Sequence, residues 1–245
     1  MVTLALTYLA ALAGAEAVAT FVSPLWGIVL HFLLLLGLVV ASARWSPYQS
    51  HGLFLALGLV PLLRIVSLSM PSVDLSQAYW YLVVALPLLI GAFAIARVLN
   101  RRPAEIGLTL RAFPLQIVVA ACGIGIGLVD YLILKPDPLI SEFSWSGVVA
   151  PALFLLVATG FVEEIVFRGV IQREAEELGA WGWIYTAVLW SVLQMGHHSV
   201  LHWFVALGMA LFFGWMVKRS GSILGVSLSH GLVNIGLYLL FPFLF

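Results

Sequence analysis

The chain has 245 residues, of which 63% are hydrophobic and only 9% charged, and its mean hydropathy is +1.12. A soluble domain is about 45–50% apolar and about 25% charged, so this composition excludes an ordinary soluble enzyme and a disordered tail, and leaves lipid as the main solvent. Eleven Lys and Arg balance eleven Asp and Glu, so no net field attracts a nucleic acid, and the single cysteine, Cys122, supports neither a disulfide framework nor a cysteine-based zinc site.

A membrane span needs roughly 20 mostly apolar residues. Nine segments qualify in chain order: 2–22, 25–43, 52–70, 78–98, 113–134, 147–172, 181–197, 201–217 and 222–244. The predicted fold class is therefore all-α, a polytopic transmembrane helix bundle of eight or nine spans. The first segment has no basic residues ahead of its apolar run, as a cleaved signal peptide would, and is read as a span. The seventh and eighth are short enough to be tilted or partly re-entrant.

Basic residues orient such a bundle. Arg44, Arg97, Arg101, Arg102, Arg111, Arg173, Lys218 and Arg219 all fall in connections on one side of a nine-span chain. Only Lys135 falls opposite, near Asp137 and Glu142. The basic side is expected to be cytoplasmic, with the N-terminus inside, in the plasma (cytoplasmic) membrane.

Each ionisable residue inside a span needs a physical reason, because burying a charge in hydrocarbon costs several kcal/mol. These residues are Glu16, His31, Arg64, Asp130, Glu163, Glu164, Arg168, His197, His198 and His230. Half of them lie in the last third of the chain. The expected division is 1–145, mostly plain span, and 146–245, where the polar chemistry collects.

Three polar stretches carry that chemistry. In "ATGFVEEIVFRGVIQRE", Glu163 and Glu164 are adjacent and project about 100° apart on a helix. Arg168 follows Glu164 by four residues, the spacing at which acid and base share a helix face. Glu164 is expected to pair with Arg168, leaving Glu163 for proton transfer. The same spacing also suits a helix end entering the headgroup layer. In "LWSVLQMGHHSVLHW", His197 and His198 adjoin, and His202 lies four residues after His198. They suit a general base or a metal ligand, or a set of interfacial histidines beside Trp203. In "LGVSLSHGLVNIG", His230 and Asn234 share one helix face. They suit two aimed donors to an oxyanion, or polar glue between helices.

The order E-E-x-x-x-R, then a histidine, then H-x-x-x-N resembles the CPBP family, which comprises CAAX prenyl endopeptidases and bacteriocin-processing or immunity proteins and is also called Abi. "EEIVFRG" at 163–169 is similar to the first motif and "HGLVN" at 230–234 to the last. The middle pattern, F-x-x-x-H, is not kept: Leu193 precedes His197 at that spacing and Gln194 precedes His198. His197 is preferred because an apolar residue holds the Phe position. The resemblance covers about 150–240.

The resemblance implies an intramembrane endopeptidase in a lipid membrane, acting on a hydrophobic or lipidated peptide or protein. Glu163 and the middle histidine, His197 or His198, would activate water, and His230 and Asn234 would stabilise the oxyanion. Glu164 and Arg168 would hold their helix. Glu163, His197 and His230 could also supply three ligands to zinc, with a fourth position for water. Catalysis without metal, with Glu163 as base, is preferred because no compact signature such as H-E-x-x-H is present. Two other readings compete: a non-enzymatic membrane immunity or peptide-binding protein, and a proton-coupled transporter using Glu16, Arg64, Asp130 and the glutamate pair.

The depths do not all agree. At about 1.5 Å per residue, Glu163 lies roughly 15 Å before Arg173 and His230 roughly 12 Å after Ser222, whereas His197 lies roughly 24 Å after Trp181. A tilted or deeper-starting seventh helix is expected to reconcile them.

Overall fold

Apolar runs long enough to satisfy their own backbone become helices, and their ends fall where the sequence supplies caps or breaks. The computed structural model describes residues 1–45 and 51–245, and among these there is no strand. The first two helices, α1 (Val2–Phe21) and α2 (Pro24–Trp45), form an antiparallel hairpin. The next pass consists of α3 (His51–Leu57) and α4 (Leu59–Ser69), with a break at Gly58. Proline has no N–H, so Pro61 leaves the Leu57 carbonyl without its helical donor. The Tyr8 hydroxyl of α1 donates to that carbonyl at 3.2 Å. The break thus ties two passes together.

The following passes are α5 (Gln77–Val98) and α6 (Phe113–Leu134). The seventh helix, α7 (Trp145–Phe154), starts at Ser144, whose hydroxyl accepts from the Gly147 N–H at 3.1 Å. It continues through two wide-wound π-helical stretches, Leu155–Val162 and Ile165–Ile171, and ends in the short α8 (Gln172–Glu174). The apolar run goes on to His197, 53 residues in all. A straight helix of that length would far exceed the roughly 30 Å hydrocarbon core at about 1.5 Å per residue. Gly179, at φ 73° and ψ −145°, resolves this with a backbone conformation that glycine alone adopts without strain. The chain turns there and enters α9 (Gly182–Val192). Among the described residues, eight helical runs are long and apolar enough to span a membrane, and the 53-residue run is divided at Gly179 into two stretches. These two correspond to the segments expected at 147–172 and 181–197.

The last two passes are α10 (Val200–Ser220), whose first turn is capped when the Ser199 hydroxyl accepts from the His202 N–H at 3.2 Å, and α11 (Leu224–Ile235). Large apolar side chains such as Phe32, Ile90, Leu132 and Val200 stand exposed around the bundle. Apolar surface on this scale is compatible with lipid and not with water. The chain is an integral, multi-pass membrane protein.

Loop contacts align the two ends of the bundle. At one end, Arg101 pairs with Glu174 at 2.7 Å, the Ile223 N–H donates to the Gly107 carbonyl at 3.0 Å, and the Ser222 hydroxyl donates to Thr109 O at 2.6 Å. This gathers the basic connections around 97–111, 173–181 and 218–223. At the other end, Phe21 meets His198 and Phe143 meets Phe243.

Inside, one apolar core runs from Ala5 to Val233 and draws on both halves of the chain. The helix that carries Glu163 crosses α11 at Gly160, where a Cβ would sit 2.5 Å from the Ser227 carbonyl oxygen and 2.9 Å from the Gly231 nitrogen. Only a residue without Cβ permits that backbone approach. The approach brings the glutamate pair against His230 and Asn234.

Candidate active site

A cavity of about 340 Å³ lies between α4, α5, α6, α9, α10, α11 and the wide-wound helix. Glu163, His197, His230 and Asn234 all line it. Glu163, His230 and Asn234 are each held by a hydrogen-bonding neighbour.

Glu163 and Glu164 sit between the two π-helical stretches. Wide turns of this kind are common at functional sites. Here they separate two adjacent carboxylates. Glu163 faces the cavity, and its Oε2 accepts from the Trp190 indole N–H at 3.2 Å. Glu164 is fully buried on the other side. Its Oε1 accepts from Arg168 Nη1 at 3.1 Å and lies 2.8 Å from His230 Nδ1. The expected Glu164–Arg168 pair forms, and it also reaches a third residue.

Arg168 is buried between aromatic rings, its guanidinium 5.3 Å from the Trp190 ring centre and 5.8 Å from that of Phe213. Its charge is shared between Glu164 and two π faces. With Glu164 ionised, His230 Nδ1 carries a hydrogen and donates it. Nε2 is then the ring nitrogen available to the cavity.

Asn234 Nδ2 donates to Thr159 Oγ1 at 2.8 Å, and Thr159 in turn donates to the Leu155 carbonyl at 2.6 Å. This chain orients the Asn234 amide and leaves one amide hydrogen free. His230 and Asn234, one helical turn apart on α11, thus present an imidazole nitrogen and an amide N–H to the same cavity.

The histidine pair divides. His197 ends the short 3₁₀ turn Leu193–His197 and stands exposed at the cavity rim. His198 adopts a left-handed φ of 53°, lies exposed with its ring edge-on to Phe21 at 5.6 Å, and does not line the cavity. α9 ends at Val192, and the 3₁₀ turn Leu193–His197 carries His197 to the rim of the cavity.

Sequence reasoning did not assemble a further pair on the same cavity. Asp130 of α6 and His202 of α10 are both buried, with His202 Nδ1 3.0 Å from Asp130 Oδ1. The His202 ring packs against that of His197, their centres 4.4 Å apart. The available signal was that each is ionisable and inside a span, so each requires a partner.

The N-terminal passes are also less plain than expected. Arg64 lines the cavity and holds Glu16 with two hydrogen bonds, from Nε at 2.5 Å and Nη2 at 2.7 Å. His31 Nε2 lies 3.1 Å from the same carboxylate, off the hydrogen-bonding direction. Gln77 and Tyr81 of α5 complete this wall.

Among the described residues, no group of three His, Cys, Asp or Glu side chains is placed to hold a metal ion. The zinc set expected from Glu163, His197 and His230 is therefore not assembled. His197 is out at the rim, away from the buried His230.

Residues 145–236 match the family described as "Rce1-like: Type II CAAX prenyl endopeptidase Rce1-like". Neither the curated proteins nor the solved structures compared with the chain gave a match. The matched stretch contains the glutamate pair, Arg168, His197, His230 and Asn234, and it begins at the helix that crosses α11 at Gly160. Over this C-terminal portion, somewhat over a third of its length, the chain is similar to the type II CAAX prenyl endopeptidases of that family.

Proposed function

We propose that the chain is an intramembrane endopeptidase that hydrolyses a peptide bond in a lipidated or membrane-embedded peptide. The observation that carries this reading is that Glu163, His197, His230 and Asn234 line one cavity inside the apolar bundle. The family description adds a prenylated C-terminal segment as the substrate class. An apolar wall beside a carboxylate suits a lipid chain next to a scissile bond.

In this mechanism water sits between Glu163 and His197. Glu163 takes one proton, and the His197 ring accepts a hydrogen bond from the other hydrogen. The oxygen attacks the carbonyl carbon, and the resulting oxyanion is met by the free Asn234 amide hydrogen and by the Nε2–H of a doubly protonated His230 ring whose Nδ1–H is held by Glu164. Glu163 then returns its proton to the leaving amine as the C–N bond breaks. Glu164 and Arg168 hold His230 in position. Residues 146–245 act as the catalytic portion, and the N-terminal passes close the far wall of the cavity. The protein sits in the cytoplasmic membrane with its basic end, and so its N-terminus, inside.

The test uses the full chain in lipid nanodiscs. The probe is an internally quenched peptide bearing an S-farnesyl cysteine followed by three C-terminal residues. Glu163→Gln is expected to lower kcat by about 10²–10⁴-fold while leaving the melting temperature close to wild type. Cleavage at the wild-type rate in a folded Glu163→Gln variant would overturn the reading. Tight binding of the probe without cleavage would favour a sequestering protein.

A further inference from the structure

His202 carries a buried polar atom with no partner. Its Nδ1 is 3.0 Å from Asp130 Oδ1, both side chains are buried, and Nε2 has no hydrogen-bond partner. A buried polar atom without a partner is unfavourable, and a neighbouring group that can reach it gains by pairing with it. The nearest candidate is His197, whose ring packs against that of His202 and stands at the mouth of the cavity.

The chemistry of the pair sets a direction. With Asp130 ionised, the hydrogen of His202 is on Nδ1, and Nε2 is a lone-pair acceptor. An acceptor beside a second imidazole calls for an N–H from that imidazole. If His197 donates one nitrogen's hydrogen to His202, its other nitrogen must be a lone pair. This is the form needed to accept a hydrogen bond from the attacking water.

We propose that Asp130 and His202 are positioning residues which, through His202 Nε2, fix the tautomer of His197 and draw its ring from the rim into the cavity. The inference rests on the reading of His197 as the water-facing histidine. The relay runs from α6 (Asp130) through α10 (His202) to the turn after α9 (His197). It accounts together for the buried carboxylate, the orphaned nitrogen and the exposed catalytic ring. Supporting groups of this kind change activity by about 10–100-fold when removed.

The experiment compares His202→Gln with His202→Leu in nanodiscs, using the farnesylated peptide. Glutamine can donate to Asp130 and accept from His197, whereas leucine fills the space and does neither. His202→Leu should lower kcat by about 10–100-fold with little change in KM, and His202→Gln should recover most of the loss. Equal loss in both variants, or kcat within twofold of wild type in His202→Leu, would overturn the inference. A second readout needs no variant and no activity: ¹⁵N-imidazole spectra of the wild-type chain in the same nanodiscs. A single neutral His197 tautomer with a nitrogen–nitrogen coupling to His202 supports the relay, and a mixture of His197 tautomers without that coupling overturns it. A wild-type chain that cleaves nothing defeats the endopeptidase reading, while the spectra still decide the relay.

Discussion

The bundle contains two buried triads of the same residue types, and they are built differently. Glu16, Arg64 and His31 come from three separate passes, and Arg64 grips Glu16 through two hydrogen bonds. Glu164, Arg168 and His230 come from two passes, with the arginine four residues along the same helix and bound through a single nitrogen. In the second triad Arg168 Nε and Nη2 and Glu164 Oε2 are buried without protein hydrogen-bond partners. A second carboxylate, Glu163, stands next to it on the cavity. The first triad is matched acid to base and joins helices. The second has an extra acid beside it on the cavity, where the proposed mechanism moves a proton. Both ring nitrogens of His31 also lack partners, so the contrast lies in the acid–base pair itself: a two-bond grip between Glu16 and Arg64 against a single bond between Glu164 and Arg168 with a second acid beside it on the cavity.

The largest expected effect tests that contrast directly. Arg64→Leu leaves Glu16 buried and uncompensated and should cost about 3–5 kcal/mol of stability, most of it recovered in the double variant Glu16→Leu/Arg64→Leu. Peptide cleavage by that double variant should survive. The equivalent double variant Glu164→Leu/Arg168→Leu should also fold, but it removes the carboxylate that holds His230 Nδ1 and should lose cleavage. Denaturant unfolding in detergent and the peptide assay together read both halves. Equal activity in the two double variants would erase the distinction.

A smaller effect is expected where the second triad depends on close helix packing. Gly160→Val puts a side chain into the space taken by the Ser227 carbonyl and the Gly231 backbone. Overpacking of this kind costs about 1–3 kcal/mol. It should also separate Glu164 from His230, so cleavage should fall by more than the stability change alone explains. A variant that loses stability but keeps the wild-type kcat would show that the approach at Gly160 does not position the site.

The difference between the triads also explains what could be read from the chain. Glu164 and Arg168 lie at a helical spacing, so their pairing has a local signature, as does the single face shared by His230 and Asn234. The alternation of basic connections was equally local, and the loop contacts gather those residues at one end. Glu16 with Arg64 and Asp130 with His202 are 48 and 72 residues apart and have no periodic signature. Glu16, Arg64 and Asp130 showed only as lone charges in apolar runs, and His202 only as a member of the histidine cluster, a reason to expect partners but not to name them. The choice between His197 and His198 was also hidden, because it turns on the left-handed backbone at His198 that ends the 3₁₀ turn. The wide winding around Glu163 left no mark in the residue pattern.

The smallest effect belongs to the same chemistry placed in water. At the basic end, the exposed Glu105 accepts from the Arg102 backbone N–H at 2.8 Å and caps the short turn Pro103–Ile106. That hydrogen bond, with Arg101 nearby, holds its carboxyl below the ordinary value. A carboxyl lowered on folding contributes stability that is fully present above its unfolded value, about pH 4.3, and is lost as pH falls through the folded value. Glu105→Gln keeps an acceptor for the Arg102 N–H and removes the charge. Its melting temperature should fall slightly below wild type at pH 7, with the gap closing as pH falls through the acid range. Solvent screens an exposed group, so this shift should be far smaller than that of Arg64→Leu. A gap as large as the buried pair's, or one that widens in acid, would mean that exposure does not separate the structural charges of this bundle from its surface ones.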